Sequence, residues 1–180
     1  MKLHDARAWA KKAKAALVPY CRRVEIAGSI RRGRPDCGDI ELVCIPRAQM
    51  DLFGAPIGRH PGFIRTVNQW PRVKGQPQGK YTQRILPLPE GRMIKLDLFT
   101  ATPANWGLIL AIRTGPAGFS HKMLACNWVD KGFKSVEGML TKGGRQYSVP
   151  EERDLFKLIG LRWIEPEERD KFFLASGSGS

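Results

Sequence analysis

Apolar residues at the start of the chain recur at steps of three and four, as they do along one face of an amphipathic helix. Polar and basic residues fill most of the positions between them. Pro19 lies just beyond the last apolar position and ends the pattern. We therefore predict a helix over residues 3–17, with an apolar face made of Leu3, Ala6, Ala10, Ala13 and Leu17.

Short apolar or alternating runs farther along the chain predict β-strands, and the runs between Gly and Pro residues predict helices. The expected strands cover residues 24–26, 40–45, 66–72, 80–86 and 93–99, with a hairpin around 142–144. The expected helices cover residues 30–33, capped by Ser29, then 50–53, 103–112, 120–131 and 154–160. This succession predicts an α+β fold with a mostly antiparallel sheet. We expect one domain over 1–102, a smaller domain over 103–170 and a flexible tail over 171–180.

The charge of the chain indicates what kind of partner the protein binds. The 180 residues include 30 Lys and Arg against 17 Asp and Glu, a net charge of +13. A surface of this charge favours a polyanion, either nucleic acid or a membrane surface. No apolar run approaches the roughly 20 residues that a membrane span needs. The four cysteines have no CxxC spacing, so we expect reduced thiols in a cytoplasmic protein rather than disulfides or a zinc site.

Three carboxylates are the best candidates for chemistry. Asp39 and Glu41 are two residues apart on a predicted strand, so their side chains point to the same face. Asp97 lies on a second apolar strand, and pairing of the two strands would gather all three groups. Carboxylate oxygens suit Mg²⁺ or Mn²⁺. The pattern predicts a site for two such ions, which would clamp both oxygens of an in-line displacement.

A phosphate-binding segment precedes these carboxylates. Gly28 and Ser29 come at a predicted strand-to-helix turn, where backbone N–H groups are free to bind phosphate. The arginines of residues 31–34 follow at once, and guanidinium groups bind phosphate in a bidentate manner. Gly38, directly before Asp39, allows a further close approach. The combination predicts nucleotidyl transfer from a nucleoside triphosphate.

The run VEIAGSIRRGRPDCGDIELVCI, residues 24–45, strongly resembles the palm of the family X DNA polymerases. The resemblance continues at residues 95–99 (KLDLF), at residues 113–116 (RTGP) and near the end over 155–169. It implies a nucleotidyltransferase palm followed by a small α/β thumb. It also implies a monomeric enzyme that takes primed or gapped DNA and dNTP as partners, with short-gap filling in DNA repair as its setting.

The resemblance also implies roles for individual residues. Asp39 and Glu41 would hold both metal ions, and Asp97 would bind the catalytic ion beside the primer 3′-hydroxyl. The triphosphate would be bound by the Gly28 turn with Ser29, Arg32 and Gly38, and the sugar by Thr114 and Gly115. The expected DNA contacts are Lys74, Lys80 and Lys95.

Two departures from the family keep other functions open. The family usually has Asp at the position of Glu41, which leaves a catalytically weak nucleic-acid-binding module as one alternative. Aromatic residues usually stand where this chain has Ile112 and Arg113. Since those aromatics help to exclude ribonucleotides, a template-independent or ribonucleotide-tolerant nucleotidyltransferase is a second alternative.

Overall fold

The computed structural model describes residues 1–171, which form two compact units. The first unit contains Met1–Ile30 and Pro35–Ala101, and the second contains Arg31–Arg34 with the chain from Thr102 onward. The four-residue segment Arg31–Arg34 thus belongs by its contacts to the second unit. Apart from Lys171, the tail predicted over 171–180 lies outside the described residues.

A five-stranded sheet with helices on it makes up the first unit. The helices are α1 (Leu3–Leu17), α2 (Gly28–Arg31, whose last residue belongs to the second unit) and α3 (Pro61–Asn68). The strands of the sheet are β1 (Cys21–Ile26), β2 (Asp39–Pro46), β5 (Arg72–Lys74), β6 (Tyr81–Pro87) and β7 (Met93–Thr100). They have the order β1-β2-β7-β6-β5, and only β2 and β7 are parallel. A separate hairpin contains β3 (Ala48–Met50) and β4 (Pro56–Arg59).

The core of the first unit follows the periodicity of the sequence. Ala6, Ala10, Ala13 and Leu17, the predicted apolar face of α1, are all buried. They pack in one cluster with the alternate residues Ile40, Leu42 and Cys44 of β2 and Ile94, Leu96 and Leu98 of β7. The residues between these, among them the three carboxylates, therefore lie on the other face of the sheet.

The described part of the second unit includes three α-helices, a π-helical stretch, a 3₁₀-helix (Pro166–Glu168) and a three-stranded antiparallel sheet. A π-helical stretch, Phe119–Ala125, runs directly into α5. The helices are α4 (Trp106–Thr114), α5 (Cys126–Asp130) and α6 (Glu152–Leu158). The strands are β8 (Lys134–Val136), β9 (Met139–Lys142) and β10 (Arg145–Tyr147), in the order β10-β9-β8. A cluster that includes Leu108, Phe119, Trp128 and Phe156 forms the core of this unit.

The predicted α+β class with a mainly antiparallel sheet is confirmed, whereas three predicted elements are wrong. Residues 66–72 were expected to be a strand, but α3 occupies 61–68 because Pro61 and the His60 side chain, which accepts from Gly62 N–H, start a helix there. The helix expected at 50–53 is instead a turn of the β3–β4 hairpin. The helix expected at 30–33 begins at Gly28, so Ser29 lies inside it rather than at its cap.

No helix within residues 1–171 is both long and apolar enough to cross a lipid bilayer.

Candidate functional site

Parallel pairing of β2 with β7 determines where the three carboxylates lie. Glu41 and Asp97 are direct register partners, as are Asp39 and Lys95. Residues opposite each other in a ladder share a face, and positions two apart on one strand share it too. Asp39, Glu41, Lys95 and Asp97 therefore stand on one face of two neighbouring strands. This is the relationship that the sequence predicted for the carboxylates.

The Asp97 carboxylate is held by the next strand, β6. Asp97 is 9% exposed, and its Oδ1 accepts hydrogen bonds from the Tyr81 hydroxyl at 2.6 Å and from the Gln83 amide at 2.8 Å. The Tyr81 ring in turn stacks on Phe99 at 4.9 Å and lies beneath the Lys74 ammonium at 5.2 Å. Two donors on one oxygen fix the orientation of the carboxylate and leave Oδ2 to other partners.

The Glu41 carboxylate lies against the backbone of Gly28. A Cβ atom on Gly28 would overlap with Oε2 of Glu41, and the φ angle of Gly28 is +62°. The Ala27 N–H donates to the Glu41 carbonyl at 2.9 Å, which ties the end of β1 to β2. Glycine is therefore required at position 28 both by the backbone conformation and by the neighbouring carboxylate.

The donor chemistry of this face suits divalent cations, but its side chains are not gathered around one point. Three carboxylates on adjacent strands provide the oxygen ligands that Mg²⁺ and Mn²⁺ take. Within residues 1–171, however, no group of three or more His, Cys, Asp and Glu side chains is close enough together to hold a metal ion. Glu41 is turned toward Gly28, and Asp97 is bonded to Tyr81 and Gln83. The register of the strands thus places the three carboxylates on one face, but their side chains would have to rotate before they could coordinate one ion together.

Two residues of the predicted phosphate-binding segment, Ser29 and Gly38, lie in surroundings that suit a bound ligand. The Ser29 Oγ is buried and has no hydrogen-bond partner among the described residues. Gly38 is exposed, and a Cβ there would meet no atom within 4 Å. A buried hydroxyl without a partner is costly, so the environment of Ser29 favours a ligand that accepts or donates a hydrogen bond there.

Arg31 and Arg32, predicted to bind a triphosphate, are bonded within the second unit. Arg32 Nε lies 3.2 Å from both oxygens of Asp170, and its Nη1 donates to the Thr114 carbonyl at 2.8 Å. Arg31 donates to the Thr114 hydroxyl at 2.6 Å and to Glu152. The other predicted sugar contact, Gly115, is packed so closely against Phe119 that a Cβ would lie 2.6 Å from that ring. The roles of Arg32, Thr114 and Gly115 in nucleotide binding stay predictions.

Glu152 anchors this arrangement and was missed by sequence reasoning. Its Oε1 accepts from Arg169 at 3.0 Å while its Oε2 accepts from Arg31. The Arg169 side chain is completely buried, and its guanidinium lies 5.2–5.6 Å from the rings of Phe119, Phe156 and Trp163. Burial lowers the pKa of Arg169, and the Glu152 carboxylate opposes that shift. Glu152 and Arg169 are 17 residues apart, so no local pattern indicates their pairing.

The three lysines predicted to contact DNA are exposed, and their role in DNA binding stays a prediction. Lys95 extends from the carboxylate face of β7. Lys74 and Lys80 flank the turn that joins β5 to β6. None of the four cysteines forms a disulfide within residues 1–171; three of them are buried and Cys126 is exposed.

Comparison with known proteins shows two similarities. Residues 110–170 match the family described as the DNA polymerase beta thumb. DNA polymerase lambda from Rattus norvegicus is 29% identical over 160 residues. That match covers 79% of this chain but only 28% of the rat protein, so the chain spans just over a quarter of its relative's length. The resemblance inferred from the sequence is thereby confirmed: the chain is similar to a family X DNA polymerase, and its residues 110–170 match the DNA polymerase beta thumb.

Proposed function

We propose that the chain is a DNA-directed DNA polymerase that adds deoxynucleotides to a primer 3′ end, filling short gaps during DNA repair. The observation that carries this proposal is the register of β2 and β7, in which Glu41 lies opposite Asp97 and shares a face with Asp39. The similarity to DNA polymerase lambda supports DNA as the substrate. The net charge of +13 supports a polyanionic partner.

The proposed reaction is an in-line nucleotidyl transfer. The primer 3′-oxygen forms a bond to the α-phosphorus of the dNTP as the bond to the bridging oxygen breaks, and pyrophosphate leaves. Asp97 accepts the proton of the 3′-hydroxyl. Tyr81 and Gln83 fix the orientation of Asp97 through its Oδ1. Positioning and charge neutralisation, rather than covalent catalysis, lower the barrier.

Two divalent ions, Mg²⁺ or Mn²⁺, belong to this proposal. Asp39 and Glu41 would hold both ions and Asp97 one of them, since these carboxylates share one face of the sheet. When bound, such ions neutralise the charge on the transferred phosphoryl group. The Ser29 hydroxyl and the exposed backbone at Gly38 would bind the triphosphate, which gives the otherwise unpaired Ser29 Oγ a partner.

A primer-extension assay tests the proposal. A duplex with a short gap and a bare single strand are each offered dNTPs and, separately, rNTPs, with Mg²⁺ or Mn²⁺. We expect extension of the gapped duplex by dNTPs and none with Asp97→Ala, whose circular dichroism should match the wild type. An Asp97→Ala protein that extends primers at the wild-type rate would overturn the assignment of the site.

The same assay separates the alternatives. Extension of the bare strand, or equal use of rNTPs, would identify a template-independent or ribonucleotide-tolerant enzyme, which the residues Ile112 and Arg113 leave open. DNA binding without incorporation in either metal would identify a binding module. We further propose that the protein acts as a monomer in a reducing intracellular compartment, where cysteines such as the exposed Cys126 stay reduced.

A further inference from the structure

Large apolar side chains project from the hairpin of β3 and β4, residues 48–59, into solvent. Leu52 is fully exposed and Phe53 is 95% exposed, and Met50 and Ile57 are more than half exposed. These four residues are defined here as the apolar tip. Single exposed apolar residues are ordinary, but four on one 12-residue hairpin are a concentration that points to an interaction site.

The turn that presents the apolar tip is held in one conformation by Asp51. Its Oδ1 accepts from the N–H groups of Phe53 at 2.9 Å and Ala55 at 2.8 Å. The Asp51 N–H also donates to the Ala55 carbonyl at 2.9 Å. The backbone hydrogen bonds of the turn are thus made within the hairpin. Leu52 and Phe53 are presented on a preorganised turn, which lowers the entropic cost of binding.

The base of the hairpin is fastened beside the turn that contains Lys74 and Lys80. Arg59, the last residue of β4, donates to the Pro77 carbonyl and, at 3.0 Å, to the Thr100 hydroxyl. The Thr100 hydroxyl donates to the Gly79 carbonyl, and the Thr100 N–H donates to the Lys80 carbonyl. One short network therefore connects the apolar hairpin to the turn between β5 and β6.

The chain segment that contains the hairpin, residues 47–84, is strongly basic. Residues 47–84 include a single acidic residue, Asp51, whose carboxylate is bonded within the turn. The same stretch includes seven basic residues, of which all but the half-buried Arg59 and the buried Arg84 are exposed: Arg47, Arg59, Arg65, Arg72, Lys74, Lys80 and Arg84. Such a surface attracts a polyanion and repels a second copy of itself.

From the preorganised apolar tip and the strongly basic chain segment that contains it we infer that the β3–β4 hairpin binds unpaired bases of DNA. Phe53 stacks on a base and Leu52 packs beside it, while exposed basic residues such as Arg47 and Lys74 neutralise the adjoining phosphates. Stacking on aromatic side chains is how proteins hold single-stranded DNA without reading its sequence. This binding role rests on the proposed function, in which DNA is the substrate. The hairpin would let the enzyme hold a single-stranded template or a frayed end.

Binding assays without nucleotide test this separately from polymerisation. We compare the wild type with the double variant Leu52→Ser/Phe53→Ser, using a fluorescein-labelled 20-nucleotide oligo(dT) and, as a polyanion without bases, inorganic polyphosphate. We expect the double variant to bind oligo(dT) about fivefold or more weakly, at the lower end of what one stacked base contributes. Polyphosphate binding should stay unchanged. Val129→Ser, which removes another exposed apolar side chain, should bind both ligands like the wild type.

A second variant and a mapping experiment exclude a merely structural effect. Phe53→Trp should retain the oligo(dT) affinity, because indole stacks at least as well as phenyl. Photo-crosslinking to an oligonucleotide that contains 5-iododeoxyuridine should label the tryptic peptide of residues 48–59, which runs from the cleavage site after Arg47 to Arg59. Circular dichroism melting of each variant checks that the fold is retained.

Each other outcome overturns the inference. Unchanged oligo(dT) affinity in the double variant, or an equal loss for polyphosphate, would show that the tip does not contact bases. Binding of phosphatidylserine vesicles that is lost in the double variant, with DNA binding intact, would identify a membrane contact. Self-association that is lost in the same way would identify a dimer surface. If these assays succeed while primer extension fails, the hairpin stands and the polymerase proposal falls.

Discussion

The Oε2 atom of Glu41 lies where a side chain on Gly28 would have to begin. A Cβ at position 28 would overlap with that oxygen, and the φ of +62° is itself strained for any residue but glycine. The first turn after β1 and the second carboxylate of β2 therefore have compatible shapes only with glycine at position 28.

Gly28→Ala should consequently impair both stability and chemistry. The backbone strain lowers the free energy of unfolding by about 1–3 kcal/mol, and the displaced Glu41 lowers primer extension. Urea unfolding and extension of a gapped duplex measure the two effects. Gly91→Ala is the matched control, because its φ is +69° but no atom lies within 4 Å of its Cβ. If both variants lose the same free energy of unfolding and both extend primers at the wild-type rate, the contact between Gly28 and Glu41 does not contribute to function.

Tyr81→Phe should weaken catalysis without disturbing the fold. The substitution keeps the ring stacked on Phe99 and removes only the hydroxyl that donates to Asp97 at 2.6 Å. Residues that orient a metal-binding group typically contribute about 10–100-fold, so we expect a tenfold or greater loss of primer extension. Mn²⁺ binding, followed by electron paramagnetic resonance, should weaken in parallel.

Tyr147→Phe, which removes a hydroxyl from a tyrosine of the second unit, provides the control for Tyr81→Phe. It should extend primers and bind Mn²⁺ as the wild type does. Wild-type Mn²⁺ affinity in Tyr81→Phe would mean that the hydrogen bond to Asp97 does not position that carboxylate.

Glu152→Gln should destabilise the protein strongly. The substitution removes the charge that faces both Arg169, which is completely buried, and Arg31. Loss of one partner of a buried ion pair leaves the other charge uncompensated, at a cost of about 3–5 kcal/mol. Glu90→Gln, in the exposed pair with Arg92, should cost less than about 1 kcal/mol. Equal urea midpoints for the two variants would contradict a supporting role of Glu152.

The parts of the fold that sequence predicted are those with strong periodicity. The apolar face of α1 and the alternation of β7 each determine an element because burial on one side selects that period. Glu41 and Asp97 share a face once the two apolar strands pair with their apolar sides on one core, whereas their direct opposition in the ladder is shown only by the structure. The strand predicted at 66–72 failed since Phe63, Thr66 and Val67 bury one face of a helix that begins before that window.

The environment of the candidate site was not predictable in the same way. Tyr81 and Gln83 are two residues apart on β6 and face Asp97. Their role could be recognised only once β6 was known to pair with β7. The pairing of Arg31 with Glu152 spans 121 residues. Contacts of that separation are determined by tertiary packing, which leaves no trace in local periodicity.

Stability should fall in alkaline solution because of Cys44. Burial raises the pKa of the Cys44 thiol well above its ordinary value of 9.0, and a hydrogen bond with Cys21 raises it further. Above about pH 9 the unfolded chain loses this proton while the folded protein keeps it, so the folded state binds more protons. The free energy of unfolding then decreases as pH rises, by up to about 1.4 kcal/mol per pH unit for one group.

Urea unfolding at pH 7.5, 9 and 10 measures this decrease. Other groups titrate in the same range, so the difference between variants is the informative quantity. Cys44→Ala lowers stability at every pH by the loss of a buried side chain, but its decline above pH 9 should be shallower than that of the wild type. Cys126→Ala, at the exposed cysteine, should decline as steeply as the wild type. Parallel pH profiles for all three proteins would show that the buried thiol does not contribute to alkaline unfolding.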